Sequence, residues 1–68
     1  MSIPHIGMKA DEVLKMAGRS AEDATEDPTW IGRDEHGWIV VWHYADCVVI
    51  LHRRMGCYRV REVHEVAR

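Results

Sequence analysis

Two neighbouring apolar stretches restrict the possible fold of this chain more than any other feature. Residues 38–44 read Trp-Ile-Val-Val-Trp-His-Tyr and residues 47–51 read Cys-Val-Val-Ile-Leu, with Ala45 and Asp46 between them. The β-branched and aromatic side chains that fill both stretches favour strands, and the short break between them favours a turn. The pattern therefore predicts a β-hairpin that the rest of the chain has to cover.

The length of 68 residues limits the chain to one small domain, residues 1–68, with a correspondingly small core. A hydrophobic content of 47% with 29% charged residues is typical of a folded protein and argues against extended disorder. No apolar run reaches the ~20 residues that cross a bilayer, and the first residues lack a signal-like segment. We therefore expect a cytoplasmic protein with no membrane partner.

A helix is predicted near the start of the chain, over about residues 9–17. Apolar residues recur there at the spacing of one helical face: Ala10, Val13, Leu14 and Ala17. Acidic residues fall in the first turn, and Gly18 follows as a stop signal. The connector over residues 19–28 is acidic and polar. Its residues 21–26 either form a short second helix capped by Ser20 or remain extended.

The remaining chain predicts an antiparallel sheet over about residues 29–63. Residues 29–31 suit an edge strand before a polar loop over residues 32–37, and Met55-Gly56 suits a second hairpin turn. With Ala45-Asp46 as a two-residue loop, alternation predicts a core face: Trp38, Val40, Trp42, Cys47, Val49, Leu51, Tyr58 and Val60. The tail over residues 60–67 changes to a spacing of about three, which leaves open a strand or a terminal helical turn.

These elements predict an α+β fold, in which the N-terminal helix packs on one face of a three- to four-stranded antiparallel meander. A single helix cannot cover both faces of such a sheet. The uncovered face would then carry four apolar residues: Ile39, Val41, Val48 and Ile50. We predict that they bind another protein or a second copy of the chain, with Trp30 as a further contact residue.

The opening segment of the chain also resembles a known family. Residues 6–18, Ile-Gly-Met-Lys-Ala-Asp-Glu-Val-Leu-Lys-Met-Ala-Gly, resemble the helical opening motif of the SmpA/OmlA (BamE-like) domain, whose fold is similar to the repeats of β-lactamase inhibitor protein. Residues 42–44 and 56–60 resemble its later strands. The resemblance implies the fold and a non-catalytic, protein-binding role. It does not imply the outer-membrane role, because the chain lacks the family's signal peptide and lipidated cysteine.

The sequence offers no pattern for metal binding or catalysis. Five histidines and two cysteines are present, but no pair has the spacing of a metal site. Cys47 should point inward, and Cys57, at the other end of the predicted strand pair, should lie too far from Cys47 for a disulfide. So small a chain should also lack room for a ligand pocket of ~300 Å³. We therefore predict a non-enzyme with no metal and no cofactor.

Nucleic-acid binding is the alternative function. The second half of the chain is basic, and four of its arginines fall on one predicted hairpin: Arg53, Arg54, Arg59 and Arg61. Arginines with an interleaved aromatic, here Tyr58, are typical of sheets that bind single strands. The net charge of −2 argues against this function, because nucleic-acid-binding domains are usually basic overall.

Overall fold

The computed structural model describes residues 3–34 and 37–66, without the side chain of Asp34. Glu35 and His36, in the predicted polar loop, lie outside the described residues. Four antiparallel strands form one sheet in the order β1-β2-β3-β4, which confirms the predicted meander in an α+β fold. The elements are α1 (Ala10–Lys15), a 3-10 turn (Ala21–Asp23), β1 (Thr29–Asp34), β2 (Gly37–His43), β3 (Cys47–Arg54) and β4 (Cys57–Glu65).

The strand register agrees with the sequence pattern. Val40 lies opposite Leu51 across β2 and β3, so this hairpin has the predicted register around Ala45 and Asp46. Arg54 lies opposite Cys57, so Met55-Gly56 is the second loop. Strict alternation on both sides of each turn is what allowed the register to be predicted.

One set of buried residues forms the core. They are Val13, Val40, Tyr44, Cys47, Val49, Leu51 and Val60. Trp38, which we predicted to be in this core, is 45% exposed. It lies near the start of β2 with Arg33 directly opposite on β1, and the Arg33 guanidinium is 5.9 Å from its ring. Burial of Trp38 would require removing that arginine from water, which explains why the core ends at Val40.

The end of the chain continues the sheet through Glu65. Leu51 pairs with Val60 whereas Ile50 pairs with Glu62, which leaves Arg61 as the extra residue of a β-bulge. The bulge places Val60 and Val63 on the same face although they are three residues apart. The spacing of three therefore reflects a bulged strand, so of the two alternatives left open the strand is the one observed through Glu65. Ala67 lies outside the described residues.

The helical segments are shorter than expected. Helix α1 has six residues rather than about nine, and the backbone at Met16 is already extended. Val13 is its fully buried residue, whereas Leu14 is 40% exposed, so little packing is available to extend it. The possible helix over residues 21–26 is a single 3-10 turn, in which the Asp23 carboxylate accepts hydrogen bonds from the backbone and hydroxyl of Ser20.

Part of the outer edge of β4 is paired with the N-terminal segment. The Gly7 N–H donates to the Val60 carbonyl and the Val60 N–H donates to the Met8 carbonyl, each at 2.8 Å. Lys9 forms an isolated antiparallel bridge with Arg59. These contacts satisfy backbone groups that an edge strand would otherwise leave open.

The loop between β3 and β4 yields the first prediction. Met55 and Gly56 both have positive φ, at 53° and 81°, as in a type I′ turn that favours Asn-Gly. Because a left-handed backbone is unfavourable for methionine and tolerated by asparagine, Met55→Asn should raise the free energy of unfolding by about 1 kcal/mol. Urea denaturation measures the change, with Met55→Leu as an unchanged control. An unfolding midpoint at or below that of the original chain would contradict this account of the turn.

Candidate protein-binding surfaces

The four apolar residues predicted to bind a partner lie on one face of β2 and β3, which we call the reverse face: Ile39, Val41, Val48 and Ile50. Val41 lies directly opposite Ile50, so these side chains project to the same side of the sheet. Val41 is 7% exposed and the other three are partly exposed. Within the described part of the chain, none of the four belongs to the buried core cluster. The reverse face is therefore separate from the core cluster and consists of one buried and three half-buried apolar residues.

Trp30 is 59% exposed but does not lie on the reverse face. It pairs with Val40, so it projects to the core side, and its ring centroid lies 5.9 Å from that of Tyr58 in an edge-to-face contact. Strands β1 and β4 form opposite edges of the sheet, so this contact requires the sheet to curl. Bulges in both strands, at Ile31 and at Arg61, favour that curvature.

The structure does not gather the four predicted arginines into one patch. Arg53 lies opposite Tyr58, whereas Arg54, the next residue along β3, projects to the other side of the sheet. The Arg59 guanidinium donates a hydrogen bond of 3.0 Å to the Gly7 carbonyl. Arg61 is the extra residue of the β4 bulge. The strand alternation divides the arginines, which sequence proximity alone had grouped.

A different basic and aromatic surface crosses the end of the sheet, and we call it the aromatic–arginine row: Arg33, Trp38, Arg53 and Tyr58. Arg33 pairs with Trp38 and Arg53 pairs with Tyr58, on the core side beyond buried Val40. The row was not predicted from the sequence, because the alternation assigns Trp38 to the core face. The available signal was Arg53, which a two-residue loop at Ala45-Asp46 already places opposite Trp38.

An open apolar groove of about 650 Å³ lies between the connector and the sheet. Known ligand sites begin at ~300 Å³, so the expectation that this chain has no room for a pocket is wrong. We call it the connector groove, and its lining residues are Leu14, Ala21, Ala24, Thr25, Glu26, Asp27, Pro28, Trp42 and Tyr44. Its lining combines two aromatic rings and aliphatic side chains with the carboxylates of Glu26 and Asp27.

One side of the groove is fixed by a contact that we call the Arg19 clamp. Arg19 is 1% exposed, and its guanidinium donates two hydrogen bonds to the Asp46 carboxylate, at 2.5 and 2.7 Å. The Tyr44 hydroxyl donates to the Arg19 carbonyl at 2.8 Å, and the guanidinium carbon lies 5.0 Å from the Tyr44 ring centroid. The clamp thus joins the connector to the β2–β3 turn and holds Tyr44 in place.

The same contact determines the protonation states around it. The hydrogen bonds from Arg19 lower the pKa of Asp46 to about 2. The bond to Asp46 in turn raises the pKa of Arg19. Burial raises the pKa values of Tyr44 and Cys47. At neutral pH Tyr44 therefore remains a hydrogen-bond donor and Cys47 remains a neutral thiol, unsuited to nucleophilic attack.

The other end of the connector is held by His43. Its Nδ1 lies 3.2 Å from Glu26 Oε1, its Nε2 lies 2.9 Å from Thr29 Oγ1, and its carbonyl accepts a 2.8 Å bond from the Thr25 N–H. Carboxylate, imidazole and hydroxyl occur in this order in nucleophilic triads. Here Glu26 is 63% exposed and Thr29 is also exposed, so water competes for both contacts. The arrangement fastens the connector to the sheet.

Other features of the described residues concern metals, membranes and thiols. Across residues 3–34 and 37–66, no three His, Cys, Asp or Glu side chains are grouped so that they could hold a metal ion. No helix in that part of the chain is long and apolar enough to span a membrane. Both cysteines are free, and Cys47 is buried, as predicted, whereas Cys57 is exposed.

Comparison with known proteins yields no relative. No family model matches the sequence, and no curated protein or solved structure is significantly similar to it. The resemblance to the SmpA/OmlA domain therefore stays a prediction based on short motifs.

The Arg19 clamp predicts a specific acid sensitivity. The pKa of Asp46 is about 2 in the folded chain and about 3.9 in an unfolded one, so the unfolded state takes up this proton first. The stabilisation is complete above about pH 5 and is lost as the pH falls towards about 2. Asp46→Asn should be less stable at neutral pH and should lose less stability on acidification than the original chain. Thermal unfolding between these pH values measures the difference.

Asp27→Asn serves as the control, because it also removes one carboxylate next to the groove but leaves the clamp intact. This variant should retain the acid sensitivity of the original chain. Parallel pH curves for the original chain and Asp46→Asn would show that the clamp does not contribute in this way.

Proposed function

We propose that this chain is a small non-catalytic protein-binding module, an adaptor, inhibitor or regulator, that acts through the reverse face of its sheet. The observation that carries the proposal is an apolar set of side chains, Ile39, Val41, Val48 and Ile50, that lies outside the core cluster. Side chains of this type usually enter a core or an interface.

The distribution of packing between the two faces supports this proposal. The residues outside the sheet that pack with the core cluster come from α1, the segment before it and the connector: Val13, Ile3, Met8, Ala10 and Ala24. In our proposal these segments shield the core side, as the resemblance to the SmpA/OmlA domain implies. The reverse face is then left for a partner, because one short helix covers one side of a sheet.

The chemistry of the reverse face suits a protein partner. Valine and isoleucine occupy the middle of β2 and β3, and His43, His52 and Arg54 occupy the same face around them. An apolar centre with a polar border is the usual arrangement of a protein interface. The partner is either a different protein with an exposed apolar surface or a second copy, which would give a symmetric dimer.

The double variant Val48→Thr/Ile50→Thr tests the proposal. Threonine keeps the β-branched shape that strands favour but adds a hydroxyl, so the sheet should form while binding weakens by about tenfold or more. The measurement is retention of partner proteins from cells of origin by the immobilised chain, with light scattering to detect a second copy. Circular dichroism verifies the fold of each variant.

Ile6→Thr is the matched control, because Ile6 is 73% exposed and lies in the segment before α1 that is bonded to the outer edge of β4. It makes the same chemical change outside the reverse face and should leave retention unchanged. A folded double variant that retains the same proteins as the original chain would rule out the reverse face as the binding surface.

Single-stranded nucleic acid is the second candidate ligand, and the aromatic–arginine row favours it. Trp38 is 45% exposed between Arg33 on one side and the strand that carries Arg53 on the other, and Trp30 contacts Tyr58 nearby. Exposed rings can stack on bases while arginines contact phosphates. The net negative charge of the chain makes this the weaker candidate.

A fluorescence titration tests this second function. Adding single-stranded oligothymidine at about 0.05 M salt should quench tryptophan emission, and more salt should reverse the effect because the contacts are ionic. Arg53→Gln should weaken binding several-fold. It should also reduce the slope of log affinity against log salt concentration by about one, because one phosphate contact is lost. Lys15→Gln, on α1, serves as the control. Unchanged emission at the lowest salt concentration would exclude this function.

A further inference from the structure

We propose that this chain also associates head to tail, with the β3–β4 hairpin tip of one copy bound in the connector groove of another. The hairpin tip comprises residues 53–56, Arg-Arg-Met-Gly. This contact is independent of the reverse face, so it adds a second, directional interaction to the proposed function.

The tip displays an apolar side chain in an unfavourable position. Met55 is 95% exposed and has a φ of 53°, in the left-handed region that methionine rarely adopts. An asparagine would suit both the backbone and the solvent better. The two arginines before it give the tip a positive charge. The sequence therefore places a flexible apolar group directly after two cationic residues, in the turn of the hairpin.

The groove has the complementary chemistry. Trp42 and Tyr44 contribute aromatic rings, which form favourable contacts with methionine sulfur. Glu26 and Asp27 contribute carboxylates that oppose the arginines in charge. A volume of about 650 Å³ accommodates one methionine side chain together with the aliphatic part of a neighbouring arginine.

The tip that occupies the groove must come from a second copy, because the tip and the groove of one chain lie far apart. The groove lies beside Tyr44, whose N–H bonds to the carbonyl of Cys47 at the beginning of β3, whereas the tip follows Arg54 at its end. The chain is elongated, with extents of 33, 20 and 19 Å, and β3 runs between the two features. The tip therefore cannot reach the groove of its own chain. A contact between two different surfaces gives a ring or an open chain of copies rather than a symmetric pair.

Sedimentation velocity over a range of protein concentrations tests the association. The original chain should form a concentration-dependent series of species that shrinks as salt rises from about 0.05 to about 0.5 M. Met55→Asn should weaken the association by about tenfold or more although it stabilises the turn, so unfolding cannot explain the loss. Met55→Leu keeps an apolar side chain and should associate like the original chain. Val48→Thr/Ile50→Thr should also associate, which separates this contact from the reverse face.

A mixing experiment tests the directionality. The groove variant Ala21→Arg/Asp27→Lys introduces two positive charges at exposed positions of the groove. Like Met55→Asn, it should be monomeric at a concentration at which the original chain still associates. An equimolar mixture of the two variants should form one-to-one dimers and nothing larger. The groove variant keeps an intact tip and Met55→Asn keeps an intact groove, so each pair can form a single contact. An original chain that stays monomeric up to about 1 mM, a mixture that stays monomeric, or a groove variant that still associates would each overturn the proposal.

Discussion

The contact between Arg19 and Asp46 holds the two halves of this small fold together. Helix α1 and the connector precede the sheet and contribute little to the core, so they need an anchor beyond apolar burial. The bidentate pair provides that anchor and also orients the Tyr44 ring, whose hydroxyl bonds to the Arg19 backbone. Loss of Asp46 would remove the bidentate partner of a guanidinium that is 1% exposed, which is why such a pair is difficult to replace by single substitutions.

The connector groove follows from this anchoring. The Arg19 clamp fixes the connector at one end, and the contacts of His43 with Thr25, Glu26 and Thr29 fix it at the other. Between these points the connector lies beside Trp42 without filling the space above it. The cavity is therefore a product of two polar attachments that hold a chain segment of small and acidic residues beside an aromatic surface.

The register of the sheet was predictable from the sequence wherever apolar and polar residues alternate regularly along the strands. Val40 and Leu51 face each other because the pattern has a period of two on both sides of a two-residue turn. The bulge at Arg61 was not predictable, because one inserted residue imitates helical spacing. The Arg19–Asp46 pair was equally inaccessible, since it joins residues 27 positions apart whose proximity depends on the completed fold. The position of Trp38 at the border of the core was not predictable either, because it depends on Arg33, which the completed sheet places opposite Trp38.

The two bulges bear on how the chain avoids aggregation. Both outer strands, β1 and β4, contain an irregular residue near the middle of their pairing, and β4 is additionally bonded to Gly7 and Met8. A straight, regular outer strand would be a template on which further chains could add, as in amyloid fibrils. A chain so rich in valine and isoleucine can thus keep a stable sheet in a crowded solution without growing it indefinitely.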